Sequence, residues 1–176
     1  MPSFCKAACY TVRMSPSGGR IMAFSAGLLI LMGGLLFLSF GNNDPILVPY
    51  VPQGGYLPVV RVGQSPVRVY TADTPEEQQK GLSIFDTLPA GTGMFFVFDR
   101  DDAYGIWMRD MKFAIDIIWI DAEGRIVDIV QHATPESYPR IFTPRAPARY
   151  VLEVVSGFVE QRGVTPSDIV DFSGAI

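Results

Sequence analysis

A run of twenty residues without a charge, Ile21 to Phe40, restricts the possible structures of this chain more than any other feature. An α-helix rises about 1.5 Å per residue, so such a run covers about 30 Å, the thickness of the hydrocarbon core of a membrane. A helix also satisfies its own backbone hydrogen bonds in lipid. A soluble core helix would carry polar residues at helical spacing, and this run carries almost none. The run therefore predicts a transmembrane anchor.

The charges on either side of the run predict its orientation. Lys6, Arg13 and Arg20 precede it, and Asp44 follows it. Positive residues stay on the cytoplasmic side, so residues 1–20 are expected in the cytoplasm and the C-terminal part in the periplasm or outside the cell. A cleaved signal peptide is the alternative, although its apolar region usually has only about 7 to 15 residues. The expected location is the inner (cytoplasmic) membrane, with a single pass.

The composition outside this run excludes several classes of protein. Cys5 and Cys9 are the two cysteines and both precede the run, so the outer part has neither a disulfide nor thiol chemistry. A start at Met14 or Met22 would remove both cysteines. From Pro45 onward, 11 Lys and Arg accompany 17 Asp and Glu, a net charge of −6. Such an acidic domain does not favour nucleic acid or anionic lipid as a partner.

Residues 41–57 are predicted to be a Pro/Gly-rich linker and residues 58–176 an extracytoplasmic β-rich domain. Short β-branched and aromatic runs with regular turn signals favour a small, curved, mostly antiparallel β-sheet or a barrel-like domain. An acidic turn is predicted at 99–102 and a loop with four prolines at 135–147. The predicted strands are residues 59–62, 67–71, 94–98, 105–108, 115–120, 125–131, 150–155 and 169–172.

Two short helices complete the prediction and make the fold class α+β. Thr74 can cap the first helix, and Pro75 suits its first turn. Gly81 is expected to end this helix, because glycine readily adopts the conformation that terminates helices. The second helix is expected within residues 156–162, with Gly163 at its end.

Several motifs of the outer domain follow one another in a particular order. Each motif alone is short, and the ordered set is more specific than any member. The motifs are Gly81-Leu82, Gly93 to Phe98, Ile106-Trp107-Met108, Ile115 to Asp121 with Gly124, and Tyr150 to Val154 with Gly157.

This order resembles the bacterial and archaeal domain of unknown function family 192 over nearly all of residues 59–172. That family usually has Gly-Leu-Met where this chain has Gly81-Leu82-Ser83, and Lys-Asn-Thr where it has Arg109-Asp110-Met111. The resemblance implies a compact, mostly β fold, often behind a signal or an anchor. It implies no established activity, cofactor or substrate.

Asp116 and Glu153 are acidic residues within apolar strands. If residues alternate faces, Asp116 shares its face with the isoleucines two and four positions later. A buried acid needs a donor, for which Arg109 and Lys112 are candidates. The functional interpretation is a carboxylate in a pocket, and the alternative is a solvent-side residue or a structural ion pair. As a pair, the two acids could act in a glycosidase, which needs carboxyls about 5 to 9.5 Å apart.

Trp107 lies near Phe96, Phe98 and Trp119 in the predicted strands. An exposed tryptophan among such aromatics could stack on a sugar or a peptide. Large aromatic side chains are nevertheless more often part of the core.

Met94, Met108 and Met111 suggest a second kind of site, with His132 as a fourth ligand. Thioethers are soft ligands that select Cu(I). Methionine is, however, mostly a residue that fills irregular spaces in cores.

The sequence lacks several common motifs for catalysis and for binding metals or nucleotides. His132 is its single histidine, and there is no Gly-x-Ser-x-Gly elbow, zinc ligand set, phosphate loop or dinucleotide fingerprint. Arg140, Arg145 and Arg149 lie in or beside the Pro-rich loop. They could meet an acidic ligand or partner, or be solvated and paired with surface acids.

The leading hypothesis is a membrane-anchored, non-enzymatic binding or interaction module without a cofactor or a metal. We expect a partly apolar groove near Trp107, Met108, Asp116 and Glu153 that binds a small molecule, a glycan or a protein. One alternative is an enzyme that acts on an envelope glycan through Asp116 and Glu153. The other alternative is a periplasmic copper-handling protein.

Overall fold

Seven strands form one curled sheet, a half-barrel, in a computed structural model that describes residues 56–176. The predicted cytoplasmic segment, transmembrane anchor and most of the linker lie outside the described residues. Within residues 56–176, no helix has the length and apolar character needed to cross a membrane. The strands are β1 Val59–Val62, β2 Ser65–Ala72, β3 Thr92–Asp102, β4 Ile106–Trp107, β5 Ile115–Ile120, β6 Ile126–Ala133, β7 Ile141–Phe142, β8 Ala148–Val155 and β9 Val170–Asp171, and the helices are α1 Pro75–Lys80 and α2 Phe158–Arg162.

The order across the large sheet is β6-β5-β8-β3-β2-β1-β9, while β4 and β7 pair with each other. Neighbouring strands of the large sheet are antiparallel, with β2 and β3 as the parallel exception. Helix α1 lies in the connection between these two strands, because a parallel pair needs a crossover rather than a hairpin. The predicted curved, mostly antiparallel sheet with two short helices is therefore confirmed.

Side chains alternate between two apolar clusters, one on each face of the sheet. All seven strands contribute to one cluster, which we call the inner cluster. The other, the outer cluster, is formed by β2, β3, β5, β6 and β8 together with β4, β7 and the segments beside them. Along β5, Ile117 and Trp119 join the outer cluster, whereas Ile118 and Ile120 join the inner one. The sheet thus buries both of its faces.

The helix termini follow the sequence prediction closely. Thr74 and Glu77 form a capping box at the start of α1, in which each side chain accepts a backbone hydrogen bond from the other residue. Gly163 ends α2 in a left-handed conformation. Gly81 ends α1, as predicted, and the chain continues as a short 3-10 helix whose Leu82 is fully buried in the outer cluster.

Two loop predictions are wrong. Residues 99–102 belong to β3 rather than to an acidic turn, since Asp102 pairs with Ala148 of β8 beyond a bulge, and Asp101 bonds Arg149. The Pro-rich loop 135–147 contains β7 and a short 3-10 helix. The end of β3 and the strand β7 depend on pairing partners that are distant along the chain.

The two edge regions of the large sheet meet beside Gly124. An isolated bridge joins Arg125 to Ile169, and the Val170 amide donates a 2.8 Å hydrogen bond to the Gly124 carbonyl. Gly124 has φ +83°, and a Cβ atom there would lie 2.6 Å from the Val170 carbonyl oxygen. Only glycine fits this contact without displacing the backbone.

The replacement Gly124→Ala tests whether this contact stabilises the fold. Gly91→Ala is the matched control, because Gly91 also has positive φ (+71°) but a Cβ atom added there would meet nothing within 4 Å. The control should lose about 1 kcal/mol of unfolding free energy from backbone strain alone. Gly124→Ala should lose about 3 kcal/mol, because the Val170 carbonyl must also move. Urea unfolding of the purified full chain measures both, and equal losses would show that the edge contact contributes nothing.

Candidate functional site

Strands β4 and β7 cover the outer face of the sheet, and each has one buried and one outward residue. Ile106 and Phe142 are register partners that are buried in the outer cluster. Trp107 and Ile141 are the next register partners along the two-stranded β4–β7 ribbon, and their side chains point away from the outer cluster. Trp107 is partly exposed and Ile141 is 37% exposed. Alternation within the ribbon thus places a tryptophan beside an isoleucine at the surface.

Tyr138 and Arg109 extend this apolar pair. Tyr138 is 45% exposed, and its ring meets Trp107 edge-on, with 5.9 Å between centroids. The Arg109 guanidinium lies 5.0 Å from the Trp107 ring centroid, which is cation–π distance. Arg109 also pairs with the exposed Asp110 at 3.3 Å.

Arg140, just before β7, stacks on Phe142, whose side chain faces the outer cluster rather than the Trp107 side. It lies 4.6 Å from the centroid of the Phe142 ring, so β7 carries a stacked cation at its start. We call the group of exposed and partly exposed residues around this ribbon the Trp107 surface. Its members are Trp107, Arg109, Tyr138 and Ile141.

Buried and paired neighbours hold Arg109 in place. Met108 and Met111 are buried in the outer cluster, and the Met111 amide donates to the Met108 carbonyl. Lys112 forms an ion pair with Asp86. The hydrogen bond that Lys112 donates within this pair, together with its positive charge, holds the pKa of the Asp86 carboxyl below its usual range. The segment that contains Arg109 is therefore fixed on both sides, by Met108 before it and by Met111 and Lys112 after it.

The sequence suggested three arginines as contacts of an acidic ligand, namely Arg140, Arg145 and Arg149. The structure gives them different partners. Arg145 bonds Asp128 through its backbone amide and its side chain. Arg149 bonds Asp101 at 2.7 Å. Arg140 forms no ion pair with any carboxylate of residues 56–176. Of the three, Arg140 alone lacks a carboxylate partner among residues 56–176.

Asp116 is fully buried and acts as a structural acceptor. Its two carboxylate oxygens accept the backbone amides of His132 at 2.9 Å and Val159 at 3.0 Å. The carboxylate thereby connects β5 to the end of β6 and to α2. The donors suggested by the sequence, Arg109 and Lys112, are not the donors in the structure, because two backbone amides take that role.

Glu153 is also fully buried, but on the opposite face of the sheet. Its register partners are Met94 and Ile117, which belong to the outer cluster. Asp116 instead pairs with Val154 of the inner cluster. The structure therefore does not bring the two carboxylates into one cleft, which a two-carboxylate glycosidase would require.

The other residues of the predicted groove are mostly inside the protein. Of Trp107, Met108, Asp116 and Glu153, Trp107 alone reaches the surface. The aromatic residues expected near it, Phe96, Phe98 and Trp119, are core residues.

The four candidate copper ligands lie in two different environments. Met94, Met108 and Met111 are all buried in the outer cluster, where they pack as core residues. His132 is exposed, and its Nδ1 lies 2.7 Å from the Ser156 hydroxyl oxygen. No group of three or more His, Cys, Asp or Glu residues in the described part of the chain is arranged to hold a metal ion.

A separate cleft of about 320 Å³ lies between α1 and the second half of β3. Gln78, Phe98 and Tyr104 form part of its wall. None of the four predicted ligand residues lines it.

The curled sheet with its outer β4–β7 ribbon defines a β-rich domain without a catalytic set that we recognise among residues 56–176. The chain belongs to the DUF192 family, described as an uncharacterized ACR, whose model matches residues 59–172. Thus the predicted family is confirmed.

Individual relatives agree with this assignment. The chain is 30% identical over 106 residues to a UPF0127 protein of Thermococcus gammatolerans and 26% identical over 106 residues to UPF0127 protein TK1120 of Thermococcus kodakarensis. These matches cover 59% and 60% of this chain and 65% of each relative, slightly less than two thirds of their length.

Two solved structures have a similar fold. A protein of unknown function from Novosphingobium aromaticivorans has a TM-score of 0.63 and 31% identity, covering 70% of this chain and 92% of its own. A candidate transcription regulator from Sinorhizobium meliloti has a TM-score of 0.63 and 29% identity, covering 68% and 96%.

The replacement Asp116→Asn tests the structural role of this carboxylate. An amide offers one acceptor oxygen in place of two, so one of the two buried backbone amides loses its partner, at a cost of about 1–3 kcal/mol. Asp101→Asn, in a partly exposed ion pair, is the control and should cost only ~0.5 kcal/mol. Urea unfolding gives both values, and amide hydrogen exchange should speed up at His132 or Val159 only in Asp116→Asn. Equal unfolding free energies for the two variants would refute this role.

Proposed function

We propose that this protein is a binding module at the outer face of the inner membrane, and that it contacts its ligand through the Trp107 surface. The observation that carries the proposal is the outward register pair of Trp107 and Ile141, with Tyr138 against the indole. Tryptophan, tyrosine and arginine are the residues most enriched among those that dominate binding energy at protein interfaces. A short ribbon packed on the core holds them in a fixed arrangement.

The rival functions have less support from the same residues. Asp116 and Glu153 lie on opposite faces of the sheet, so they offer no shared site for glycoside hydrolysis. One solved relative is described as a candidate transcription regulator. The net charge of −6 beyond residue 44 in this chain does not favour binding to nucleic acid.

The membrane anchor belongs to the proposal because of the uncharged run Ile21 to Phe40. In this arrangement residues 1–20 remain in the cytoplasm, and residues 41–57 connect the anchor to the outer domain. The tether would keep the Trp107 surface close to other components of the envelope.

A fractionation experiment tests the anchor. The full chain should stay with membranes after an alkaline carbonate wash, because a spanning apolar helix is effectively irreversibly inserted. A variant without residues 21–40 should be recovered in the soluble fraction. Protease added to spheroplasts should digest the outer domain. A mature protein shorter than the full chain and released by the wash would instead establish a cleaved signal peptide.

Site-specific photo-crosslinking in the native host tests the binding surface. A benzoylphenylalanine at position 138 should form adducts, whereas the same residue at position 169, which is 54% exposed in the wild type, is the control. The second replacement Trp107→Ala should reduce the adducts at 138 at least about fivefold, because anchor residues typically dominate binding. Equal adducts at both positions, or adducts unaffected by Trp107→Ala, would contradict the proposal.

A further inference from the structure

We propose that the cleft between α1 and the second half of β3 binds a small aliphatic amine. This site is separate from the Trp107 surface and does not depend on the function proposed for that surface. The cleft has a volume of about 320 Å³, which is enough for a small molecule. Its charged groups and its apolar walls together define the class of ligand.

Two carboxylates without a cationic partner line this cleft. Asp73 lies just before the start of α1, and Asp99 lies in β3 beyond the residues that pair with β2. Both residues are exposed, and neither forms an ion pair with any residue of the range 56–176. Their negative charges are therefore available to a ligand from solution.

The other charged groups around the cleft leave it negative. Of the residues that line it, Arg100 is the cation, and its guanidinium lies 3.8 Å from Asp102. The first turn of α1 adds Glu76 and Glu77, whereas Lys80 is in the last turn and does not line the cleft. A cleft with an excess of one charge concentrates ions of the opposite charge. The ligand is therefore expected to be a cation.

The apolar walls favour an organic cation over a metal ion. Phe98 and Tyr104 stack with 3.6 Å between their ring centroids, and Pro75 and Val97 line the cleft beside them. These side chains can contact methylene groups, which a metal ion lacks. A hard cation such as Mg²⁺ also needs several oxygen ligands, and the described part of the chain holds no cluster of three acids suited to one.

The hydrogen-bonding groups of the walls also suit an ammonium group, which has three donors and no acceptor. Gln78 uses its side-chain Nε2 to donate to the Val97 carbonyl at 2.8 Å, which joins α1 to β3 and leaves the amide oxygen as an acceptor. The Tyr104 hydroxyl donates to the Arg100 carbonyl at 2.7 Å, so this donor is already used inside the protein. The groups that remain for a ligand are mainly acceptors.

Calorimetric titration of the purified full chain with hexamethylenediamine tests the proposal, and hexanediol is the uncharged probe of the same length. The diamine should bind saturably and more weakly in added salt, whereas the diol should not bind. Asp99→Asn should lower the affinity for the diamine at least about fivefold, because a charged acceptor is lost. Glu160→Gln is the control with the same change of charge. Its side chain is 77% exposed in α2, so it should change the affinity less than about twofold.

Carbodiimide coupling at a low diamine concentration locates the bound amine. The reagent joins an amine to a carboxylate that it contacts, so peptide mapping by mass spectrometry should find the diamine mainly on Asp73 or Asp99. Glu160 and Asp110, whose side chains are both 77% exposed, should carry much less of it.

Four results would overturn the proposal. Equal binding of the diol would show that the charge is not recognised, and equal effects of Asp99→Asn and Glu160→Gln would show that only the net charge matters. Displacement of the diamine by Mg²⁺ at constant ionic strength would identify a metal ion as the ligand. No heat of binding, with coupling spread evenly over exposed carboxylates, would refute the site.

Discussion

Burial of both faces is the constraint on which the rest of this structure depends. All six residues of β5 are buried, and six of the eight residues of its neighbour β8 are buried as well. Phe158 and Val159 of α2 pack on the face that carries the inner cluster, and the opposite face needs a separate cover. The β4–β7 ribbon and the segments beside it provide that cover. The Trp107 surface is the solvent side of this cover, so its position follows from the packing of the core beneath it.

Asp116 stabilises the packing on the face of the sheet that carries the inner cluster. A buried carboxylate is costly unless it is satisfied, and here two backbone amides from distant segments satisfy it. One of them belongs to His132, whose φ of 55° is unusual for a residue other than glycine. The bond to Asp116 helps to hold this conformation. The residue that looked most catalytic in the sequence thus stabilises the arrangement of β5, β6 and α2.

Local patterns were sufficient to predict much of the fold. Turn residues and β-branched runs identified the β5–β6 hairpin, and Thr74 with Pro75 identified the start of α1. Pairing between distant segments was not predictable in this way. The β4–β7 ribbon joins residues about 35 positions apart, and β3 continues through four charged residues to Asp102, which pairs with Ala148 of β8 beyond a bulge.

The candidate site was likewise predictable from local sequence only in part. Trp107 and Arg109 were singled out individually by residue type, but nothing local indicated that the guanidinium would stack on the indole. Tyr138 and Ile141 were missed because they lie in a Pro-rich segment that reads as a loop. Met108, Asp116 and Glu153 were expected near Trp107, yet alternation along each strand directs them into the protein.

We propose that the Trp107 surface is occupied by its ligand in the cell. Hydroxyl-radical footprinting of the full chain, in intact cells and after purification in detergent, measures this directly. Trp107 and Tyr138 should be oxidised less in cells than after purification, whereas Tyr56, which is 89% exposed, should be oxidised similarly in both. Equal oxidation of Trp107 and Tyr138 in the two samples would contradict the claim.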